Sequence, residues 1–320
     1  ATAKSSAKAC CSDGKMVVGC LNWSKYDPIG HIMLHINLPS VKSLELGPNE
    51  TEFTSLLMAL AFANWQQLEQ VTLRAVTRGA KQWTQFFTAL QGKRITSLNL
   101  SKCKFSNNVQ DLANFLKKAD RIASLNLAEC ELQDNFAPVL GALLGHPTLK
   151  HVDLSQNSLG GECGKSIAAL LSKNSSLASI NVSSNRSLGD ASLIFESLAS
   201  NTRLRAFNFS FCVANTPAHA NSIGDMLAKN TVLKSLSLVG CSITKDGGAV
   251  FRGLTNNSSL ERLCFRANSL DRAATEFLIL ALQTNMAIEH MDLEGSTSNL
   301  SLPEVCMALA KRAKPLDLRM

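Results

Sequence analysis

A nine-residue pattern of apolar positions recurs along the chain. In the segment Ile95–Cys103, apolar side chains occupy positions one, four and six, and a Cys occupies position nine. Position nine is Asn or Cys in most copies, and the copies that start at Val41 and Leu68 match the pattern more weakly. The ten copies start at residues 41, 68, 95, 122, 149, 177, 204, 233, 260 and 288. Spacings of 27 to 29 residues between successive copies indicate a protein built from stacked repeats.

Each copy predicts a short β-strand followed by a helix. Side chains alternate along a strand, so positions four and six point into the core and positions three, five and seven point outward. The remainder of a repeat has helical spacing, as in Cys163, Ile167, Leu170 and Leu171. An Asn precedes five of the following copies by three residues, and because Asn tolerates the left-handed conformation we expect it to end each helix that way. These are Asn174, Asn201, Asn230, Asn257 and Asn285.

One such unit cannot bury its apolar face alone, so the units must stack. The sequence therefore predicts an α/β leucine-rich-repeat solenoid (horseshoe), with a parallel β-sheet on the concave face and helices on the convex face. Residues 41–320 are expected to form this domain of about ten repeats.

The repeat resembles the ribonuclease-inhibitor-like subfamily of leucine-rich repeats. The resemblance rests on the 27–29-residue frame and on Cys or Asn in the ninth position. That group includes ribonuclease inhibitor, the Ran GTPase-activating protein, NLR immune sensors, tropomodulin, CARMIL proteins and some bacterial effectors. The regular alternation of two repeat lengths in ribonuclease inhibitor is missing here, and no catalytic residue of the GTPase-activating proteins can be placed on this sequence.

The two ends depart from the repeat. Residues 1–15 have the composition of a flexible basic tail, and residues 16–40 are expected to cap the first repeat. Within this cap, Met16–Leu21 and His31–Leu38 are predicted to form a hairpin. Leu316–Leu318 matches the start of another strand, so we expect the natural protein to continue past residue 320.

Composition narrows the cellular setting and the partners. Cys103, Cys130, Cys212 and Cys241 share the ninth position, which predicts buried, reduced thiols and a cytoplasmic protein. No apolar run reaches about 18 residues, so no integral membrane segment is expected. The net charge is +7, but the basic residues are scattered and aromatics make up only 6%, so we expect no nucleic-acid partner.

Signatures of enzymes and of metal sites are missing from the sequence. It contains neither a phosphate-binding G-x-x-x-x-G-K-S/T motif nor an H-E-x-x-H motif, and the Cys residues lack paired C-x-x-C spacing. We therefore predict that the protein is not an enzyme and has no catalytic residue, cofactor or metal.

Ser and Asn dominate the outward strand positions. In the six copies that start between residues 95 and 233, nine of the eighteen such positions are Ser and four are Asn. Position five forms a column that either stabilises the sheet as a ladder of side-chain bonds or offers a polar floor to a bound peptide. The column consists of Asn99, Asn126, Asp153, Asn181 and Asn208.

Six residues are candidates for contact with a partner. The copies that start at 260 and 288 place charged residues on the concave face, and Arg is favoured at interfaces. Pairing among these charges within the protein is an equal alternative. Phe211, at position eight, is expected at the edge of the sheet, where it either anchors a partner or packs on Val239 or the ascending loop. The candidates are Phe211, Arg262, Arg266, His290, Asp292 and Glu294.

One aromatic cluster is expected to belong to the core. Trp83, Phe86 and Phe87 lie in the helical part of the repeat that starts at residue 68. Their spacing predicts two buried side chains and one exposed side chain.

The function predicted from these features is an intracellular protein–protein interaction scaffold that binds a protein through its concave face or edge loops. One alternative is a regulator of an enzyme or GTPase. The other is the targeting or sensor half of a larger multidomain protein or bacterial effector.

Overall fold

The computed structural model describes residues 15–17, 41–46, 65, 67–105, 108–244, 247–296 and 302–320. The chain divides into two compact units, Ala1–Asp153 and Leu154–Met320. Residues 1–14 of the predicted tail and most of the predicted cap, including His31–Leu38, lie outside the described residues.

In the first unit, six strands form a parallel sheet in sequence order. The strands are β1 Lys15–Val17, β2 Ser43–Leu46, β3 Gln70–Leu73, β4 Ser97–Asn99, β5 Ser124–Asn126 and β6 His151–Asp153. The helices are α1 Ala80–Leu90, α2 Val109–Lys118 and α3 Ala137–Leu143, with a 3₁₀ turn at Asp134–Phe136. Strand β1 pairs with β2 in parallel, and so extends the sheet before the first repeat.

The second unit repeats this arrangement, with six parallel strands in sequence order. The strands are β7 Ser179–Asn181, β8 Ala206–Asn208, β9 Ser235–Ser237, β10 Arg262–Cys264, β11 His290–Asp292 and β12 Asp317–Arg319. The helices are α4 Gly161–Lys173, α5 Ala191–Ala199, α6 Pro217–Lys229, α7 Gly248–Thr255, α8 Arg272–Thr284 and α9 Leu302–Ala310. Consecutive helices pack against each other from α4 to α9.

The strands have the register that the apolar pattern predicts. Position four is buried in each strand from β4 to β11, whereas positions three and five are half-buried or exposed. Leu125, for example, is 1% exposed, while its neighbours Ser124 and Asn126 are half-buried. This alternation places the Ser and Asn residues on the face opposite the core.

Each strand from β3 to β11 is followed by a residue in the left-handed conformation at position eight. The non-glycine members of this series include Lys102, Glu129 and Phe211, with φ angles of 62°, 59° and 57°. In the next repeat after Phe211 the position is Gly240, with φ 60°. The turn directs the ninth residue back into the core.

The ninth-position residues form a ladder of hydrogen bonds between repeats. Asn185 Nδ2 donates to the Leu154 carbonyl at 3.0 Å, in the preceding repeat. The thiols of Cys130 and Cys212 donate to the equivalent carbonyls of Leu100 and Val182, at 3.0 and 3.2 Å. Asn and Cys at this position therefore both supply a hydrogen-bond donor to a backbone carbonyl of the preceding repeat.

The four ninth-position thiols are buried and free, as predicted. Burial raises the pKa of Cys103, Cys212 and Cys241 to about 12 in each case, and that of Cys130 also lies above its usual range. Since only the thiolate reacts readily, these side chains are protected both sterically and chemically.

Native thiol labelling tests this description. With iodoacetamide at neutral pH, we expect Cys306, which is exposed, to be modified rapidly. The four ninth-position thiols should react only after unfolding, and peptide mass spectrometry distinguishes them. Rapid native labelling of any of the four would contradict the assigned strand register.

The helix ends correct one prediction. Asn174, Asn230 and Asn285 have φ between −76° and −82° with extended ψ angles, so they do not adopt the left-handed conformation. Instead, Oδ1 of Asn230 accepts the N–H groups of Val232 and Leu233, at 2.9 and 2.8 Å. Its Nδ2 donates to the Leu198 carbonyl at the end of the preceding helix. The Asn side chain therefore bonds to backbone groups of two repeats that would otherwise lack a partner. These hydrogen bonds outweigh the tolerance of Asn for the left-handed conformation.

The aromatic cluster of α1 corrects a second prediction. Trp83, Phe86 and Phe87 are all at most 1% exposed, so none of the three lies on the surface. Trp83 Nε1 donates to the Lys104 carbonyl at 2.9 Å, and Phe105 covers the indole at a centroid distance of 5.3 Å. The segment after β4, which contains Phe105, therefore covers the side of α1 that the helical spacing predicted to be exposed.

Candidate functional site

The outward Asn residues carry a directional pattern of hydrogen-bonding groups. Asn99 and Asn126 in the first unit, and Asn181 and Asn208 in the second, each accept the backbone N–H two residues later through Oδ1, at 3.0 to 3.1 Å. Within the described part of the chain, these four carboxamides do not bond to one another, so a side-chain ladder is not what they form. The Oδ1 atom of each of the four Asn residues therefore accepts a bond within its own repeat.

A groove of about 370 Å³ lies over strands β9–β12 in the second unit. Its two rows follow from the strand register. Row three contains Ser235, Arg262, His290 and Asp317, and row five contains Ser237, Cys264, Asp292 and Arg319. The structure thus brings three of the predicted site residues, Arg262, His290 and Asp292, into one groove.

Arg266 is held by ion pairs within the protein. Its guanidinium lies 2.6 Å from a carboxylate oxygen of Glu294 and 3.7 Å from one of Asp292. Glu294 occupies the same strand position as Arg266 on the neighbouring repeat, which explains the short contact. Of the two alternatives that the sequence left open, intramolecular pairing therefore holds for Arg266.

The remaining acidic residues of the groove are also paired. His290 Nδ1 lies 3.2 Å from a carboxylate oxygen of Asp317. Asp292, besides facing Arg266, accepts the backbone N–H of Glu294 at 3.1 Å. By contrast, within the residues the structure describes, no carboxylate lies within 4.0 Å of the exposed guanidinium of Arg262 or of Arg319.

Cys264 adds a thiol to the floor of the groove. Its Sγ lies 3.9 Å from Oδ2 of Asp292. Partial burial, and then the nearby Asp292 carboxylate, raise the pKa of this thiol. Cys264 is therefore protonated at neutral pH and serves as a weak donor, not as a nucleophile.

Phe211 lies on the rim of the sheet, as predicted, and is 47% exposed. Its ring covers Gly240 of the next repeat: a Cβ on Gly240 would lie 2.8 Å from the ring carbons Cδ1 and Cε1. A glycine is thus needed at that position for the ring to lie flat on the backbone. The same turn exposes Val213, so an apolar patch borders the polar face.

Three residues of the groove, Arg319, Asp317 and Cys264, were not predicted. The apolar pattern did extend to Leu318, and β12 confirms a strand there. Applying the outward positions three and five to that strand would have identified Asp317 and Arg319. Cys264 was missed because it occupies position five of its strand, where the series of Asn and Asp side chains ends at Asn208.

The described ranges of the chain also bear on membrane insertion and metal binding. No helix in those ranges is long and apolar enough to cross a membrane. The same ranges contain no cluster of three or more His, Cys, Asp or Glu that could hold a metal ion.

Comparison with known proteins matches two segments of the chain to a repeat family. A sequence profile of the family described as Leucine Rich repeat matches residues 145–168 and 229–251. The fold is an α/β leucine-rich-repeat solenoid. A search of curated protein sequences gave no significant match. Among 142 matching chains of solved structures, Leiomodin-1 Actin-Binding Site 2 is 24% identical, with a TM-score of 0.36 over 42% of this chain and 79% of that chain.

Proposed function

We propose that this leucine-rich-repeat protein is a protein–protein interaction scaffold whose partner binds the outward strand face and rim of the second unit. The observation that carries the proposal is Phe211, a large aromatic side chain that remains 47% exposed on a glycine platform. Aromatic side chains in such settings supply much of the binding energy at protein interfaces.

The polar face beside Phe211 supports this role. Asn181, Ser183 and Asn208 are half-buried on this face, and all three side chains are short, so little conformational entropy is lost when a partner covers them. Oδ1 of Asn181 and of Asn208 accepts a backbone N–H within the chain. The Nδ2 groups of the same two residues can donate to backbone carbonyls of a partner.

Three further assignments complete the proposal. The repeat belongs to the ribonuclease-inhibitor-like type, as the ladder of ninth-position thiols and carboxamides supports. The protein acts in the cytoplasm, where such thiols stay reduced. It acts by binding, and the partly buried Cys264 thiol, whose pKa is raised, is not activated as a nucleophile.

Affinity capture with a matched pair of variants tests the role of Phe211. Phe211→Ala should lose the proteins that the wild type retains from a cell lysate, with a melting temperature within about 2 °C of wild type because the ring is half exposed. Leu280→Ala is the control, since Leu280 is 44% exposed on α8. The proposal requires that the control retain the same proteins as the wild type, and an unchanged set with Phe211→Ala would contradict it.

A further inference from the structure

The charged side chains of the groove over β9–β12 show an imbalance in ion pairing. Arg266 pairs with both Asp292 and Glu294, and His290 Nδ1 lies 3.2 Å from a carboxylate oxygen of Asp317. Two guanidinium groups, those of Arg262 and Arg319, have no carboxylate within ion-pairing distance among the described residues. These two guanidinium groups are therefore the cationic groups of the groove that a carboxylate from a partner can still pair with.

The neighbouring acidic residue Glu289 does not remove this imbalance. Its carboxylate lies 2.7 Å from Nζ of Lys314, which is the main reason why the pKa of Glu289 lies below its usual value. Arg262 contributes only a weaker, longer-range attraction to the same carboxylate. Its five N–H donors therefore remain available for a carboxylate from outside.

The strand register fixes how far apart the two arginines lie. Arg262 is in row three of β10, and Arg319 is in row five of β12, two strands away. Strand spacing and rise place their Cα atoms about 12 Å apart, with side chains long enough to reach toward each other. Carboxylates on alternate residues of an extended peptide, about 7 Å apart, fit between the two guanidinium groups.

We infer that this groove binds an acidic, extended peptide segment of the partner, with Arg262 and Arg319 each holding one carboxylate. The inference rests on the proposed protein-binding function and adds the chemistry of the partner. Ser235 and Ser237 line the adjoining side of the groove and leave room for the peptide backbone. Single-stranded nucleic acid fits less well, because no Phe, Tyr or Trp on which a base could stack lines the described surface of the groove.

Fluorescence anisotropy with defined peptides tests the inference on the full chain. The probe is a labelled ten-residue peptide of alternating Glu and Ser, and the matched peptides carry Gln or Lys in place of Glu. We expect the Glu peptide to bind and the Gln and Lys peptides to bind at least about tenfold more weakly. Raising the salt concentration from about 50 to about 500 mM should weaken binding of the Glu peptide, because the attraction is partly screened.

Three variants assign the effect to the groove. Arg262→Ala and Arg319→Ala should each weaken binding of the Glu peptide about tenfold, while Arg272→Ala, at the exposed start of α8, should leave it unchanged. Equal loss with Arg272→Ala would show binding to general positive charge and would overturn the inference. So would a poly-thymidine oligonucleotide that binds more tightly than the Glu peptide with the same dependence on Arg262 and Arg319.

Failure of this inference can be told apart from failure of the proposed function. If the Glu peptide does not bind, yet Phe211→Ala still abolishes protein capture, the partner is a protein without an acidic segment in the groove. If neither effect is seen, the face does not bind protein.

Discussion

Leu125→Asp is expected to destabilise the first unit by several kcal/mol, whereas Ser124→Asp should change the free energy of unfolding by about 0.5 kcal/mol or less. Leu125 is buried in the core beneath β5, so an aspartate there must be either an unpaired buried charge or a protonated acid. Ser124 lies on the outward face between Ser97 and His151 of the neighbouring strands, where a carboxylate remains solvated.

Urea denaturation followed by circular dichroism measures both variants. Both substitutions introduce an aspartate, at adjacent positions, so they change the net charge of the protein alike. The two variants then differ only in the direction in which the aspartate points. Equal unfolding midpoints would show that the strand register is shifted by one residue.

Asn185→Ala should have the second-largest effect, a loss of about 2–6 kcal/mol. Asn185 is fully buried, and its Oδ1 accepts the backbone N–H groups of Asn157 and Leu159, both at 3.0 Å. Its Nδ2 donates to the carbonyls of Leu154 and Val182. Alanine would leave at least the two N–H groups buried without an acceptor.

Two variants serve as controls for Asn185→Ala. Asn185→Cys should lose less stability, because a thiol keeps the donor to the preceding repeat, as Cys212 does to Val182, although it gives up the acceptor. Asn181→Ala, in the same repeat but on the outward face, should cost about 1 kcal/mol or less. If Asn185→Ala is no more damaging than Asn181→Ala, the ladder does not stabilise the stack.

The repeat could be predicted from sequence because the same constraint recurs ten times. Positions four, six and nine are buried in the repeats, and burial restricts the residue types that they accept. The same pattern therefore recurs in each copy. The Asn before each strand was located correctly but given the wrong conformation, because its backbone preference is local whereas its hydrogen bonds reach the preceding repeat. The burial of Trp83 depended on Phe105, which follows in the next turn of the solenoid.

The candidate site was harder to predict because its chemistry lies between repeats. Arg262 and Arg266 look equivalent in sequence, two outward arginines on one strand. Their neighbours along the row differ: Arg266 lies beside Glu294, while Arg262 lies between Ser235 and His290. One arginine is therefore neutralised within the fold and the other remains available, a distinction that appears only when rows are compared across strands.

Photo-crosslinking from the rim tests the central claim, that a protein binds the outward face of the second unit, most directly. A photoreactive phenylalanine analogue at position 211 keeps the aromatic ring that already tolerates the left-handed backbone there, and the same analogue at position 280 places it on α8. After irradiation in cell lysate, we expect a discrete crosslinked protein from position 211, suppressed by an excess of unlabelled wild type, and none from position 280. Crosslinks to the same protein from position 280 alone would contradict the account and place the binding site on the helices.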